Sequence, residues 1–202
     1  IADIKNAGFE VEKIIINSNL TEEEAFAAEA SLINAFNYVG DAGLTNIVAG
    51  HLSAEALSVD EYERINGAAP LEKKDIRHKI LVIKINRLYQ RGMDEKVLYD
   101  AVRGVWRVSK EKVRTVEYVF GVYNSLIVAV YKPSEWFVCK EAKDRLPRQD
   151  IVLTPKTENR LFFVDERYEQ GFPLDENESF YIGKSIAGLK LNQSAQNPIT
   201  YL

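Results

Sequence analysis

The sequence predicts an α+β chain in two pieces: a short α/β piece over residues 1–66, then a mostly antiparallel, curved β domain over residues 71–202. Three observations carry this. Apolar and β-branched runs recur at residues 11–16, 80–85, 116–131 and 160–166, which are strand signals. Helical periodicity is confined to residues 22–36 and a shorter stretch near residues 94–102. Asn66, Gly67, Ala68, Ala69 and Pro70 form the strongest turn signal and mark the boundary.

Taken in order, residues 4–9 are short and mixed, and Gly8 ends a helical turn. Residues 11–16, VEKIII, read as a buried strand that Asn17, Ser18 and Asn19 break. Thr21 and Glu24 make a capping-box pattern, and Glu22, Glu23 and Glu24 complement the helix dipole. The helix that follows has an apolar stripe of Ala25, Phe26, Leu32, Ile33 and Phe36. Glu29 interrupts that stripe. A carboxylate on a face that the helix buries needs a partner or a cation; the plainer reading puts Glu29 at the stripe's edge, reaching water or a lysine. Residues 40–51 lack regular periodicity, and His51 there is expected to make a loop hydrogen bond.

Residues 58–61, SVDE, start another short helix. Residues 80–85, ILVIKI, are a strand, with His78 at its edge. Asp94 is the expected N-cap of the next helix, with Leu98 and Val102 facing inward. Trp106 and Val108 start a further strand. Residues 116–131 read as a hairpin turning at Asn124 and Ser125, after which Trp136 and Phe137 leave the sheet. Residues 140–157 are charged, contain Pro147 and Pro155, and read as a loop. Residues 160–166 are one more strand, and the tail from residue 193 is polar with Pro198.

Composition excludes several classes. Of the 202 residues 46% are hydrophobic and 28% charged, an ordinary globular profile. No apolar run approaches the roughly 18 residues of a membrane helix. No basic segment followed by an apolar one marks a secretion signal, so a cytoplasmic location is expected. The single cysteine, Cys139, rules out an internal disulfide, fits a reducing compartment and is expected to be a buried, inert thiol. One Cys with two His, His51 and His78, is too few for a Cys/His zinc site. Gly183, Lys184 and Ser185 end a phosphate-loop pattern, but the position of its first glycine holds Glu178, so nucleotide binding is not expected there. The first residue is Ile1, so the chain is expected to be a trimmed product or fragment of a longer parent, or a truncated relative that kept the second domain.

Charge is distributed unevenly. Residues 72–114 carry thirteen Lys and Arg against six Asp and Glu, net +7, whereas residues 1–71 are net −9 and residues 115–202 net −2. Residues 98–110, LYDAVRGVWRVSK, place Arg103, Trp106, Arg107 and Lys110 together. Arginines beside an aromatic are one way to hold a phosphate backbone and stack on a base. A solvated charged face with one core tryptophan is the plainer alternative.

Two blocks resemble a known family. Residues 20–26, LTEEEAF, then Glu29, Leu32, Ile33, Leu44, Thr45 and Asn46 resemble the later half of a GIY-YIG endonuclease domain, in the subgroup of the LEM-domain-associated nucleases. The resemblance implies that Glu29 is the catalytic, metal-holding Glu and that Asn46 supports the active site. It implies a divalent cation, Mg or Mn, where that site is complete. Residues 77–93, 98–110 and 118–131, Trp136, residues 181–185 (YIGKS) and residues 195–199 (AQNPI) resemble the C-terminal region that accompanies such domains in bacterial proteins. The family's defining Gly-Ile-Tyr strand, Tyr-Ile-Gly strand and helix Arg do not precede Val11. Tyr181, Ile182 and Gly183 spell the second motif far downstream of its place. Without the Tyr and Arg, one Glu does not cleave a phosphodiester, so this chain alone is expected to be inactive.

The second piece is also similar to PUA and EVE modules, which bind RNA or modified DNA bases. That resemblance implies stacking of an extruded base on Trp106, Tyr123 or Trp136 with Arg103 and Arg107 on phosphate. The leading expectation is the nucleic-acid-binding portion of a GIY-YIG-type DNA endonuclease of a restriction or phage-defence kind. The alternatives are a non-catalytic nucleic-acid or modified-base reader and a protein-interaction domain. A strand at residues 11–16 without its neighbours would expose an edge that a second copy of the chain could cover, giving a homodimer.

Overall fold

The computed structural model describes residues 7–8, 18–39, 58–148, 150–189, 191 and 198–202. The chain divides into two compact units, Ile1–Val59 and Asp60–Leu202. The expected strand at residues 11–16 lies outside the described residues, as do Asn46 and His51.

In the first unit the described element is helix α1, Glu22–Val39. Its start is set by the expected box: the Thr21 N–H and hydroxyl donate to Glu24 Oε2 at 2.8 and 2.9 Å, and the Glu24 N–H returns to Thr21 Oγ1 at 3.3 Å. The buried face runs through Ala30 and Ile33, with Phe26 and Leu32 partly covered. That face is narrower than the expected stripe. Ala25 is exposed and Phe36 is 47% exposed, because at about 100° per residue both fall to one side of the Phe26, Ala30, Ile33 line. Glu29 lies beside that line and is exposed, which places its carboxylate in water.

The second unit has α+β architecture. Helix α2, Val59–Asn66, leads through a turn at Gly67 into strand β1, Ile80–Lys84. Helices α3, Glu95–Arg103, and α4, Lys110–Val113, connect it to β2, Tyr118–Tyr123. A two-residue turn reaches β3, Leu126–Tyr131; Asn124 and Ser125 both have positive φ, 44° and 67°, as a turn between twisted antiparallel strands requires. Then come β4, Glu135–Val138, β5, Leu161–Val164, the short helices α5, Glu166–Glu169, and α6, Glu176–Tyr181, and β6, Ile199–Tyr201.

The strands form a four-stranded sheet in the order β3-β2-β1-β6 and a two-stranded sheet of β4 and β5. β1 and β2 run parallel, Ile80 opposite Tyr118 and Lys84 opposite Val122, because two helices intervene between them. The other pairings are antiparallel. Two departures from the sequence reading follow. Trp136 and Phe137 do not leave sheet structure; they pair with Phe163 and Phe162 in the second sheet. The polar tail ends in a strand, with Thr200 opposite Val82 and Tyr201 opposite Leu81.

The alternation of side chains gives the large sheet two buried faces. Leu81, Ile83, Val119, Ala129 and Tyr131 pack with Tyr99, Val102 and Phe163 on one. Ile80, Val82, Phe120, Val122, Ile127 and Val130 pack with Leu71, Tyr181 and Ile186 on the other. The near-continuous apolar runs of β1, β2 and β3 are what a doubly covered sheet needs. Gly121 lets α3 approach closely: a Cβ there would stand 2.5 Å from Val102 Cγ2 and 3.3 Å from Ala129 Cβ. Asp165 joins several elements. Its carboxylate accepts from the Lys132 N–H at 2.8 Å and the Tyr168 N–H at 3.1 Å, and its own N–H donates to the Tyr99 hydroxyl at 2.7 Å.

Candidate nucleic-acid interface

The basic segment divides into cations engaged inside the fold and cations that face outward. Arg103 is the last residue of α3, and its side chain is 11% exposed. Its Nε donates to Asp100 Oδ1 at 2.8 Å, its Nη1 lies 3.4 Å from Glu169 Oε1, and the guanidinium lies 4.9 Å from the centre of the Tyr99 ring. Arg91 lies 3.6 Å from the buried carboxylate of Glu61, and Lys74 pairs with Glu72 at 2.6 Å. A guanidinium held between two carboxylates and a ring has little left to offer a phosphate.

Trp106 is also engaged. Its Nε1–H donates to the Val102 carbonyl at 2.8 Å, satisfying one of the last carbonyls of α3. The ring folds under Gly104, where a Cβ would meet it at 3.1 Å, and packs against the core beneath α3. The Trp106 backbone bridges to Leu161 through hydrogen bonds of 2.8 and 3.0 Å, so the expected strand here is one isolated bridge. Tyr123 is buried against Tyr89 at 4.6 Å between ring centres. Trp136 is half-buried on Phe163, and its Nε1–H is buried with no hydrogen-bond acceptor among the described residues.

Arg107 and Lys110 are exposed. Lys110 lies 3.9 Å from Glu141 across two exposed side chains, a pair worth about 0–1 kcal/mol. Among the described residues Lys79, Arg107, Lys112 and Arg114 have no ion pair. Lys112 extends over the ring of Tyr201, 5.4 Å from its centre, and Tyr201 is 37% exposed. Burial raises the Tyr201 hydroxyl's pKa, and a hydrogen bond from the Ser109 backbone opposes that rise. Ser109 is the N-cap of α4, its Oγ accepting from the Lys112 N–H. Lys79, Lys112, Thr115, Val116 and Tyr201 line a shallow depression of about 240 Å³ where α4 meets the end of β6.

The sequence pattern thus locates the basic segment but not this cluster. Nothing near Lys79, Lys112 or Tyr201 in the chain sets them apart, since only pairing of β6 with β1 brings the tail beside α4. The alternation Ile199, Thr200, Tyr201 is the one signal, and it spans three residues.

Other candidates sit as follows. Glu29 is exposed, and among the described residues no group of three His, Cys, Asp or Glu is placed to hold a cation. Tyr181 of the Tyr-Ile-Gly string is 1% exposed, with its hydroxyl 2.9 Å from His78 Nδ1. Gly183, at φ 78°, follows α6, and its N–H donates to the Ile127 carbonyl at 2.8 Å. Cys139 is fully buried, and desolvation raises its thiol pKa. Among the described residues no helix is long and apolar enough to cross a membrane. No protein-family model matches the chain, and no curated protein or solved structure matches it either.

Proposed function

We propose that this chain is a nucleic-acid-binding module that holds a sugar-phosphate backbone along the α4–β6 face and cleaves nothing by itself. The observation that carries the reading is the Lys112 ammonium over the half-exposed Tyr201 ring, beside Lys79 and with no carboxylate partner among the described residues. Arg107 and Lys110 extend the cationic surface along the same segment. Backbone phosphates take the cations, and a base takes the tyrosine ring as Lys112 swings to the strand.

The GIY-YIG resemblance of residues 20–46 makes a DNA nuclease the proposed parent, with Glu29 and Asn46 as its metal-holding and supporting residues. DNA is accordingly the proposed nucleic acid, and the second unit is the proposed PUA- or EVE-like reader. Should the parent's site be complete, Glu29 would give one carboxylate oxygen to a divalent cation and the remaining positions would fall to water and phosphate.

Binding of the chain to duplex DNA, single-stranded DNA, RNA and DNA with modified cytosines tests the proposal. Tyr201→Ala should weaken single-stranded binding by about 1–3 kcal/mol, the worth of one stacked base. An affinity for every probe that ignores Tyr201 would remove this face from the function.

A further inference from the structure

Three tyrosines from α3, β3 and α5 crowd together in the second unit. Tyr99 lies 4.9 Å from Tyr131 and 4.3 Å from Tyr168 between ring centres, and Tyr131 meets Tyr168 edge to face at 5.4 Å. The Tyr99 hydroxyl is used inside the fold: it accepts from the Asp165 N–H at 2.7 Å and lies 3.4 Å from Glu169 Oε1. The hydroxyls of Tyr131 and Tyr168 have no hydrogen-bond partner among the described residues. Tyr131 is 5% exposed, yet its oxygen is not sealed: among the described residues the side-chain polar atom both sealed and unpaired is Trp136 Nε1. Tyr131 and Tyr168 both line a groove of about 740 Å³, and that groove is the opening through which the Tyr131 oxygen is reached. A hydroxyl held in apolar surroundings is costly unless something pairs with it.

We propose that this groove binds an uncharged small molecule with a ring body and a hydroxyl or carbonyl, which pairs with the Tyr131 and Tyr168 hydroxyls. The volume lies within the roughly 300–1,000 Å³ of small-molecule sites, which combine apolar walls with a few polar groups. Phe172, Leu174 and Ile182 supply an apolar wall and are 58, 47 and 38% exposed. The rim carries both signs of charge. Arg103 is shared by Asp100 and Glu169, which leaves Lys96 and Glu95, neighbours of opposite sign on α3. A buried head of either charge would therefore face a like charge, and a neutral head faces none. Both hydroxyls keep their protons at neutral pH. Burial first, then Tyr168 and Tyr99, raises Tyr131; burial first, then Glu95, Asp94 and Asp100, raises Tyr168. Each thus offers one O–H donor and its lone pairs to the ligand. The groove shares no residue with the α4–β6 face and does not depend on the nucleic-acid reading.

The test is titration of the full chain with three probes that share one ring system, followed by ligand-observed NMR: 2-naphthol, 2-naphthoate and 2-naphthylmethylammonium. 2-Naphthol should bind at millimolar concentration or below, and each charged probe should bind at least about tenfold more weakly. Tyr131→Phe and Tyr168→Phe should each weaken 2-naphthol roughly three- to tenfold, the worth of one hydrogen bond. Their thermal unfolding should stay where it is, since neither hydroxyl has a partner in the fold. Phe172→Ser, on an exposed residue of the wall, should weaken all three probes. Equal or tighter binding of a charged probe, native affinity for 2-naphthol in the double Tyr131→Phe, Tyr168→Phe chain, or no binding of 2-naphthol at millimolar concentration would overturn the proposal. A fall in the unfolding temperature of either single variant would show that its hydroxyl is spent inside the fold, and would overturn it too.

Discussion

Arg103 and Arg107 lie four residues apart, yet the fold gives them different work, and substituting each in turn separates the roles. Arg103→Ala removes a guanidinium whose ion pair with Asp100 has side chains 11 and 14% exposed. Breaking a fully buried pair costs about 3–5 kcal/mol, and an exposed pair contributes about 0.2–1 kcal/mol. The Asp100 pair lies nearer the buried limit. The Glu169 interaction, at 3.4 Å with 43% exposure, adds a screened contribution. Loss of packing on the Tyr99 ring adds to both, for a total of roughly 2–4 kcal/mol. Thermal unfolding followed by circular dichroism reads this as a fall of roughly 2–4 °C per kcal/mol for a chain of this size. Changing Asp100 to Ala as well should return part of the loss, since no uncompensated carboxylate then remains. Nucleic-acid affinity at a temperature where both forms are folded should stay within about twofold, since Arg103 does not reach a phosphate at the proposed interface. An Arg103→Ala chain of unchanged stability with affinity down tenfold would refute the reasoning, and would return Arg103 to the binding surface.

Three further outcomes follow from the packing. Gly121→Ala forces a Cβ to 2.5 Å from Val102 Cγ2 on a stiff, helical valine and should destabilise by about 1–3 kcal/mol in urea unfolding, with Val102→Ala restoring part of it. A neutral or stabilising effect would mean that α3 does not approach β2 so closely. Trp136→Phe removes a buried N–H that has no acceptor among the described residues while keeping the ring on Phe163, and should change stability by less than about 1 kcal/mol. A loss of several kcal/mol would show that the indole N–H has a partner. Cys139, fully buried with its thiol pKa raised, should react with an aromatic disulfide reagent only in denaturant; stoichiometric labelling of the native chain within seconds would contradict its burial.

Much of the second unit is legible in the sequence because local chemistry and tertiary context agree there. The apolar run at β1, the Asn124 and Ser125 turn, and Asp94 as N-cap, accepting from the Lys96 N–H at 2.8 Å, are all visible as residue patterns. Where pairing partners decide, the pattern is silent. Nothing in residues 80–84 says that β2 runs parallel to them, or that the tail returns beside them as β6. Pro133 makes Trp136 and Phe137 look like an exit from the sheet, although a second sheet receives them. α6 carries its own signal in the sequence: Asp175 and Glu178 form a reciprocal capping box, and Glu178 stands where a phosphate loop would have its first glycine. The site is hidden for a similar reason. The Arg103–Asp100 pair is visible within residues 98–110 as an i,i+3 spacing, but the Glu169 that completes the clamp is 66 positions away. Tyr201 looks like a tail residue because only the sheet brings it under Lys112.

The most direct test of the central claim is the salt dependence of single-stranded DNA binding by the native chain and by a Lys79→Ala, Arg107→Ala, Lys112→Ala chain. Each phosphate left without its cation should take about 0.7 off the slope of log affinity against log salt, so the triple variant should fall by about two units. Its affinity should drop at low salt and converge on the native value at high salt. The same slope and affinity in both chains, or no salt-dependent binding by the native chain, would contradict the proposed interface.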